Sequence, residues 1–324
     1  MKKTRILAII LAVVMIVTLI SACGRKTEPE DASQTAETPD VTEQPKIEVD
    51  PTEIVVDDET GEETPAKDPY ADFNLTPITD NSTCSIDITG IADTADGVIV
   101  RFSLTNKTDA AAIFACTRAV ANRYEFMPFF VVSAEPGERV KESLIISKES
   151  IKLYQLSVID ELTFDIGVYS ENDLDLDALY EGTFTVYPTG KTPDQIKYAD
   201  IVLDDDDEII VDNESFMFII VGSKYDSQLD TYSLICYLQN KTNHSLMVTL
   251  DDVLIDGKHC DPYWAHEISA NMKAYEEIGF YKEILDDLKI DISKISEINF
   301  KLTVYNSENW AEPNLIEESF CYIP

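Results

Sequence analysis

Period-two hydrophobic alternation, turn residues between the alternating runs, and a match of the chain to itself predict an all-β protein. Val98, Val100, Phe102 and Leu104 alternate with Ile99, Arg101, Ser103 and Thr105, and Leu234, Cys236 and Leu238 repeat the inward set. Phe164, Ile166 and Val168 follow the same rule, as do Phe300, Leu302 and Val304. Such alternation buries one face of an antiparallel strand and leaves the other wet. Asn106-Lys107-Thr108, Asp80-Asn81 and Pro136-Gly137 supply turn chemistry between runs.

The self-match sets the architecture. Ile88-Thr89-Gly90 aligns with Ile220-Val221-Gly222, Leu104–Thr108 with Leu238–Thr242, and Met127–Phe130 with Asp261–Trp264. Glu161–Phe164 aligns with Glu297–Phe300, and Pro188 with Pro324. The offset rises only from 132 to 136 along this series. Two repeats this long are tandem domains rather than solenoid units. One short helix is expected in each copy, at 147–156 and 282–289. Short strands in this number, with one crossing helix per copy, fit two tandem immunoglobulin-like antiparallel β-sandwiches. The expected domains are 73–190 and 210–324, joined by an acidic linker at 191–209.

The first 22 residues read as a signal. Lys2, Lys3 and Arg5 precede the apolar run Ile6–Ile20, which is short for a spanning helix. Ile20-Ser21-Ala22-Cys23 resembles the lipobox of bacterial lipoproteins. That resemblance implies diacylglycerol on the Cys23 thiol, cleavage before Cys23, and attachment to the extracellular face of the cell membrane. Removing the three positive charges of the signal takes the net charge from −36 to −39.

A disordered acidic tether is expected over 23–72. Residues 24–70 carry 15 Asp/Glu, four Lys/Arg, six Pro and one aromatic residue, Tyr70. Burial of so few apolar groups cannot offset chain entropy. As a flexible coil the tether spans about 40 Å. Across all 324 residues, 61 Asp/Glu against 25 Lys/Arg exclude a nucleic-acid binder, which needs a basic face to displace counterions. The lipobox, the acidic Thr/Pro-rich tether and the Leu-Thr-Asn-Lys-Thr and Leu-Gln-Asn-Lys-Thr modules together resemble Gram-positive surface lipoproteins. The resemblance implies immunoglobulin-like domains of largely unknown function and transfers no catalytic residue.

With Cys23 acylated, five cysteines remain. Cys84, Cys116, Cys236 and Cys260 align with Phe216, Leu250, Phe102 and Phe126, so they are expected as small core hydrophobes. No framework disulfide is expected; Cys236 with Cys321 is the alternative pair. His244, His259 and His266 lack paired metal-ligand spacing and read as surface residues. The acidic runs Asp204–Glu208 and Asp173–Glu181 offer oxygen ligands but miss the EF-hand pattern, leaving weak Ca²⁺ binding as the alternative to a solvated linker.

No phosphate loop, nucleophile elbow, H-E-x-x-H or dinucleotide fingerprint is present, so neither a catalytic residue nor a cofactor is assigned. The candidate binding residues are Trp310 in a polar loop and the pair Tyr263 and Trp264, which replace Phe129 and Phe130 of the first copy. The expected function is a non-enzymatic, membrane-anchored binding or scaffold module for an envelope protein or polysaccharide. The alternatives are a Ca²⁺-dependent small-ligand sensor or adapter and a wall-associated hydrolase.

Overall fold

The computed structural model describes residues 68–171 and 177–324. The signal, Cys23 and most of the tether lie outside them, as do Asp173 and Asp175. The chain is all-β, and its two sandwiches have the same plan. In the first, β1 (Thr76–Asp80), β2 (Cys84–Thr94), β3 (Gly97–Asn106) and β7 (Arg139–Ser147) form one sheet in the order β1-β2-β3-β7. The facing sheet holds β4 (Ala112–Ala121), β5 (Tyr124–Phe126), β6 (Val131–Ala134), β8 (Leu162–Ser170) and β9 (Tyr180–Val186). Helix α1 (Lys148–Leu153) crosses between the sheets.

The second sandwich repeats this order. Strands β10 (Glu208–Asp212), β11 (Phe216–Asp226), β12 (Thr231–Asn240) and β16 (Lys273–Tyr281) form the first sheet. Strands β13 (Leu246–Ile255), β14 (Lys258–His259), β15 (Ala265–Ile268), β17 (Ile298–Asn306) and β18 (Ile316–Tyr322) form the second, with α2 (Lys282–Asp287) as the crossing helix. Even the register shift recurs, at Ile88/Gly90 in β2 and at Ile220/Gly222 in β11. Along β17 the inward residues Ile298, Phe300, Leu302 and Val304 are buried, and the residues between them are half-exposed. Each sandwich closes on its own core: Phe102, Phe114 and Phe164 in the first, Phe218, Phe280 and Phe300 in the second.

The Asn-Lys-Thr motif is a clamp. Asn240 is buried after β12; its Nδ2 donates to the carbonyls of His244, Ile268 and Ser269, and its Oδ1 accepts from the Thr242 backbone and hydroxyl. Asn106 does the same with Ala110, Ala134 and Thr108. Lys241 then donates to Asp212 and the Asn213 carbonyl, and Lys107 to Asp80 and the Asn81 carbonyl. One side chain thereby ties a strand end to the turn after it and to the loop before the next strand of the first sheet.

The two sandwiches share a seam. Strand β5 runs parallel to β16, pairing Tyr124 with Lys273 and merging two sheets into one of nine strands. Tyr124, Tyr154, Tyr237 and Ile219 form a third core there, with Tyr275 and Ile201 against it. Tyr124 stacks on Tyr154 at 5.0 Å, and Tyr275 lies 5.8 Å from Tyr154 and 5.3 Å from Tyr237. Arg118 reaches across the seam to the Ser269 hydroxyl at 3.1 Å, and Glu125 accepts from the Ser269 backbone at 3.3 Å. Burial pushes the Lys273 ammonium pKa down, against the pull of Asp200, and Nζ donates to the Ala199 carbonyl at 2.6 Å.

Two expectations change here. The linker is not simply solvated: Ile196 is buried, Tyr198 lies under Arg123 at 4.1 Å, and Val202 exchanges two hydrogen bonds with Gln155. The acidic residues Asp204–Asp206 are exposed, as are Lys191–Gln195 and Val202. The tether expectation fails at its end, because Tyr70 is buried in the first core and its hydroxyl accepts from the Ile159 backbone at 2.9 Å. One large ring with a satisfied hydroxyl outweighs the polar residues before it.

Truncating Asn240 to Ala leaves buried carbonyls without donors, so it should cost about 2–4 kcal/mol in a urea unfolding titration. A loss below about 0.5 kcal/mol would remove the clamp role. The seam carries a pH prediction. Burial raises the Tyr124 and Tyr154 phenols to about 12, whereas free phenols ionise near pH ~10. The open form therefore gains from ionisation first, and the seam weakens as pH rises from 10 through 12. Tyrosinate absorbance with parallel melting curves should show a shallower loss in Tyr154→Phe.

Candidate functional site

The duplication serves as an internal control: features common to both copies serve the shared fold, and features confined to one copy do not. Two length differences separate the copies. Residues Asp226–Thr231 join β11 to β12, where the first copy needs only Thr94–Gly97. The second difference lies between α2 and β17. Both borders meet at one place, the end of the second sandwich away from the seam. Tyr281 closes β16 six residues after the seam residue Tyr275, so this end lies about 20 Å from the seam.

An open groove of about 830 Å³ lies there, lined by Lys224, Tyr225 and Tyr232 on one side and Lys282, Lys289 and Ile290–Ser293 on the other. A second hollow adjoins it at Lys282 and Asp286, bounded by Leu229, Asp230, Tyr281, Glu283 and Asp287. The hairpin tip is held in place. Asp226 Oδ1 accepts from the backbones of Gln228 and Leu229, and those bonds hold its carboxyl pKa down. The Tyr225 hydroxyl donates to Asp230 at 2.5 Å, which raises the phenol pKa. The Lys282 backbone donates to the Asp230 carbonyl at 2.8 Å. Across the groove, Lys294 and Ser293 hold Asp291 down at about 2. On this fixed frame Leu229 is 70% exposed and Tyr281 64% exposed.

The first copy shows what these residues displaced. Ser147, the counterpart of Tyr281, caps α1 by accepting from the Ser150 backbone. Helix α2 has no side-chain cap. Gly97, at φ +137°, closes the tight first hairpin, where a Cβ would lie 2.0 Å from the Ile146 carbonyl oxygen. The longer second hairpin has Thr231 there instead. Ile284, Asp286 and Asp287 occupy the positions of Ser150, Lys152 and Leu153. The second copy has lost a cap and gained exposed apolar and acidic groups.

The residues proposed from sequence do not form this site, nor do they come together elsewhere. Trp310 is 62% exposed in its loop, leaning on Tyr305 at 5.5 Å with its indole N–H bonded to the Ser307 carbonyl. Tyr263 is 90% exposed, as its counterpart Phe129 is exposed after the matching proline. Trp264 is half-buried: it packs on the second core and stacks on His266 at 6.3 Å. Its counterpart Phe130 is buried, and β15 keeps the same inward position. Tyr263 precedes β15, whereas the Trp310 loop lies beyond the other end of that strand, where Ser307 bonds Glu267. Roughly four strand positions, about 14 Å, separate them.

His259 is exposed, while Nδ1 of His266 lies 3.3 Å from Glu276 and its Nε2 has no partner. Among the described residues, no three His, Cys, Asp or Glu side chains converge to hold a metal ion. All five described cysteines are free thiols; Cys236 is enclosed and Cys321 exposed, so that alternative pair is not made. Burial raises the Cys116 thiol to about 12, as expected of a core residue. Among the described residues, no helix is long and apolar enough to cross a membrane. The groove was missed from sequence although its signal was visible: the rise of the self-match offset from 132 to 136 marks both insertions.

Replacing Tyr281 by Ser should restore the cap found in the first copy and raise stability by about 0.5–1 kcal/mol. Thermal and urea unfolding measure this directly. A destabilised variant would mean that Tyr281 serves the fold.

No protein-family model matches the sequence. No curated protein matches it either. Among solved structures, the chain is similar to a Salmonella enterica SafA pilin in complex with the SafB chaperone, at 10% identity and TM-score 0.22. That match covers 76% of this chain and 98% of the other. Red sea bream transglutaminase matches at 8% identity and TM-score 0.21, over 77% of this chain and 31% of the enzyme chain. At these TM-scores neither likeness carries a functional argument.

Proposed function

We propose that this chain is a lipid-anchored protein of the extracellular face of a bacterial cell membrane. It is held by diacylglycerol on Cys23 and presents its two sandwiches as a non-enzymatic binding module for an envelope component. The anchor rests on the ordered basic region, apolar run and Ile20–Cys23 sequence. The binding role rests on one observation: Leu229 and Tyr281, in the hollow beside the groove, are exposed on a fixed frame, and the frame gives up a helix cap that the other copy keeps. Local rules broken without benefit to the fold collect at functional sites.

The test uses the full chain in its native cells. Wild type, Cys23→Ala and the double variant Leu229→Ser/Tyr281→Ser are fractionated, and bound envelope components are cross-linked and identified. Cys23→Ala should leave the membrane fraction. The double variant should stay there and lose the partner cross-linked to wild type. Retention of Cys23→Ala would remove the anchor, and an unchanged set of cross-links would remove the groove.

A further inference from the structure

The rim of this groove narrows the class of partner. Its exposed apolar groups are Tyr225 in the groove and Leu229 and Tyr281 in the adjoining hollow. Around the hollow that contains Leu229 and Tyr281 stand Asp230, Glu283, Asp286 and Asp287, against Lys282 alone. Lys282 is already committed to Asp286 one helical turn away. Among the described residues, Glu283 and Asp287 have no cationic partner. Asp230 and Glu283 have counterparts in Asp96 and Glu149, whereas Asp286 and Asp287 stand where the first copy has Lys152 and Leu153, so these last two are the acidity particular to this end.

Resting on the groove reading above, we propose that the site takes a cationic protein segment, one whose apolar side chains seat on Leu229 and Tyr281 while its Lys or Arg side chains face Asp230, Glu283 and Asp287. Three physical terms favour this occupant. Exposed apolar surface gains about 25 cal/mol for each Å² covered. Glu283 and Asp287 gain from an opposing charge without losing an ion pair, and the net charge of −36 steers cations toward the chain. An anionic polymer meets the opposite field at this hollow, the lysines Lys224 and Lys289 standing in the adjoining groove. The fixed hairpin tip lowers the ordering cost of binding.

The probe is a 12-residue peptide of Lys, Leu and Tyr, with apolar residues at every third or fourth position. Two controls replace every Lys by Glu, or every Leu and Tyr by Ser. Each is titrated against the full-length protein in neutral detergent, with detergent alone as blank, and contacts are mapped by hydrogen exchange. The cationic apolar peptide should protect 225–231 and 281–287. Its affinity should fall at least about tenfold in Leu229→Ser/Tyr281→Ser, and severalfold between 50 and 500 mM salt as charges are screened. Phe129→Ser, on the other sandwich, should bind as wild type does.

Equal or better binding of the Glu peptide at these segments would overturn the cationic assignment and leave the groove reading standing. Equal binding of the Ser peptide, or protection confined to other acidic segments, would reduce the effect to bulk charge attraction and overturn the proposal. Failure of the groove reading itself is registered separately, by native cross-links that ignore the double variant.

Discussion

Four tyrosine rings at the seam decide what kind of object this chain is. A sandwich of this size buries a limited core, and two of them on a free linker would move independently. Tyr124 and Tyr154 from one copy close on Tyr237 and Tyr275 from the other, and the β5–β16 pairing fixes their register. The linker is then drawn in by Lys273, Arg123 and Gln155. The groove at the far end is consequently carried by a body of two sandwiches, and a load on it is passed to both.

The duplication separates the needs of the fold from everything else. Asn106 and Asn240 make the same clamp, and β2 and β11 carry the same bulge. These features repeat because each sandwich needs them. The seam is different: it takes β5 from one copy and β16 from the other, so equivalent residues there have unequal work. The groove is different again, since it lies at only one end of the pair.

Much of the fold was legible because strands announce themselves locally. Alternation placed Phe164 and Phe300 inward, and the self-match placed four cysteines in the cores. The helices begin at Lys148 and Lys282 and end a few residues sooner than expected. The counterpart rule that buried the cysteines also turns Trp264 toward the core through Phe130, although Trp264 stays half-buried. Tyr70 escaped because composition averages over a segment, whereas burial is decided by one ring. The seam had no local signature at all: parallel pairing of β5 with β16 joins residues about 150 positions apart, and nothing in either strand names the other. The groove was written as two short insertions, whose meaning depends on their meeting in space.

The seam also bears on how copies of this chain meet one another. It joins unlike edges, and a joint of that kind, repeated from chain to chain, does not close on itself but grows into a fibre. The edges needed for the next joint exist, because β14 is the counterpart of β5 and β7 that of β16. Their side chains forbid it. Lys258 stands where Tyr124 does, Arg139 where Lys273 does, and Lys141 where Tyr275 does. Another sandwich docked in this manner would set three cations together where the seam has two tyrosines and one lysine, and their mutual repulsion opposes the joint.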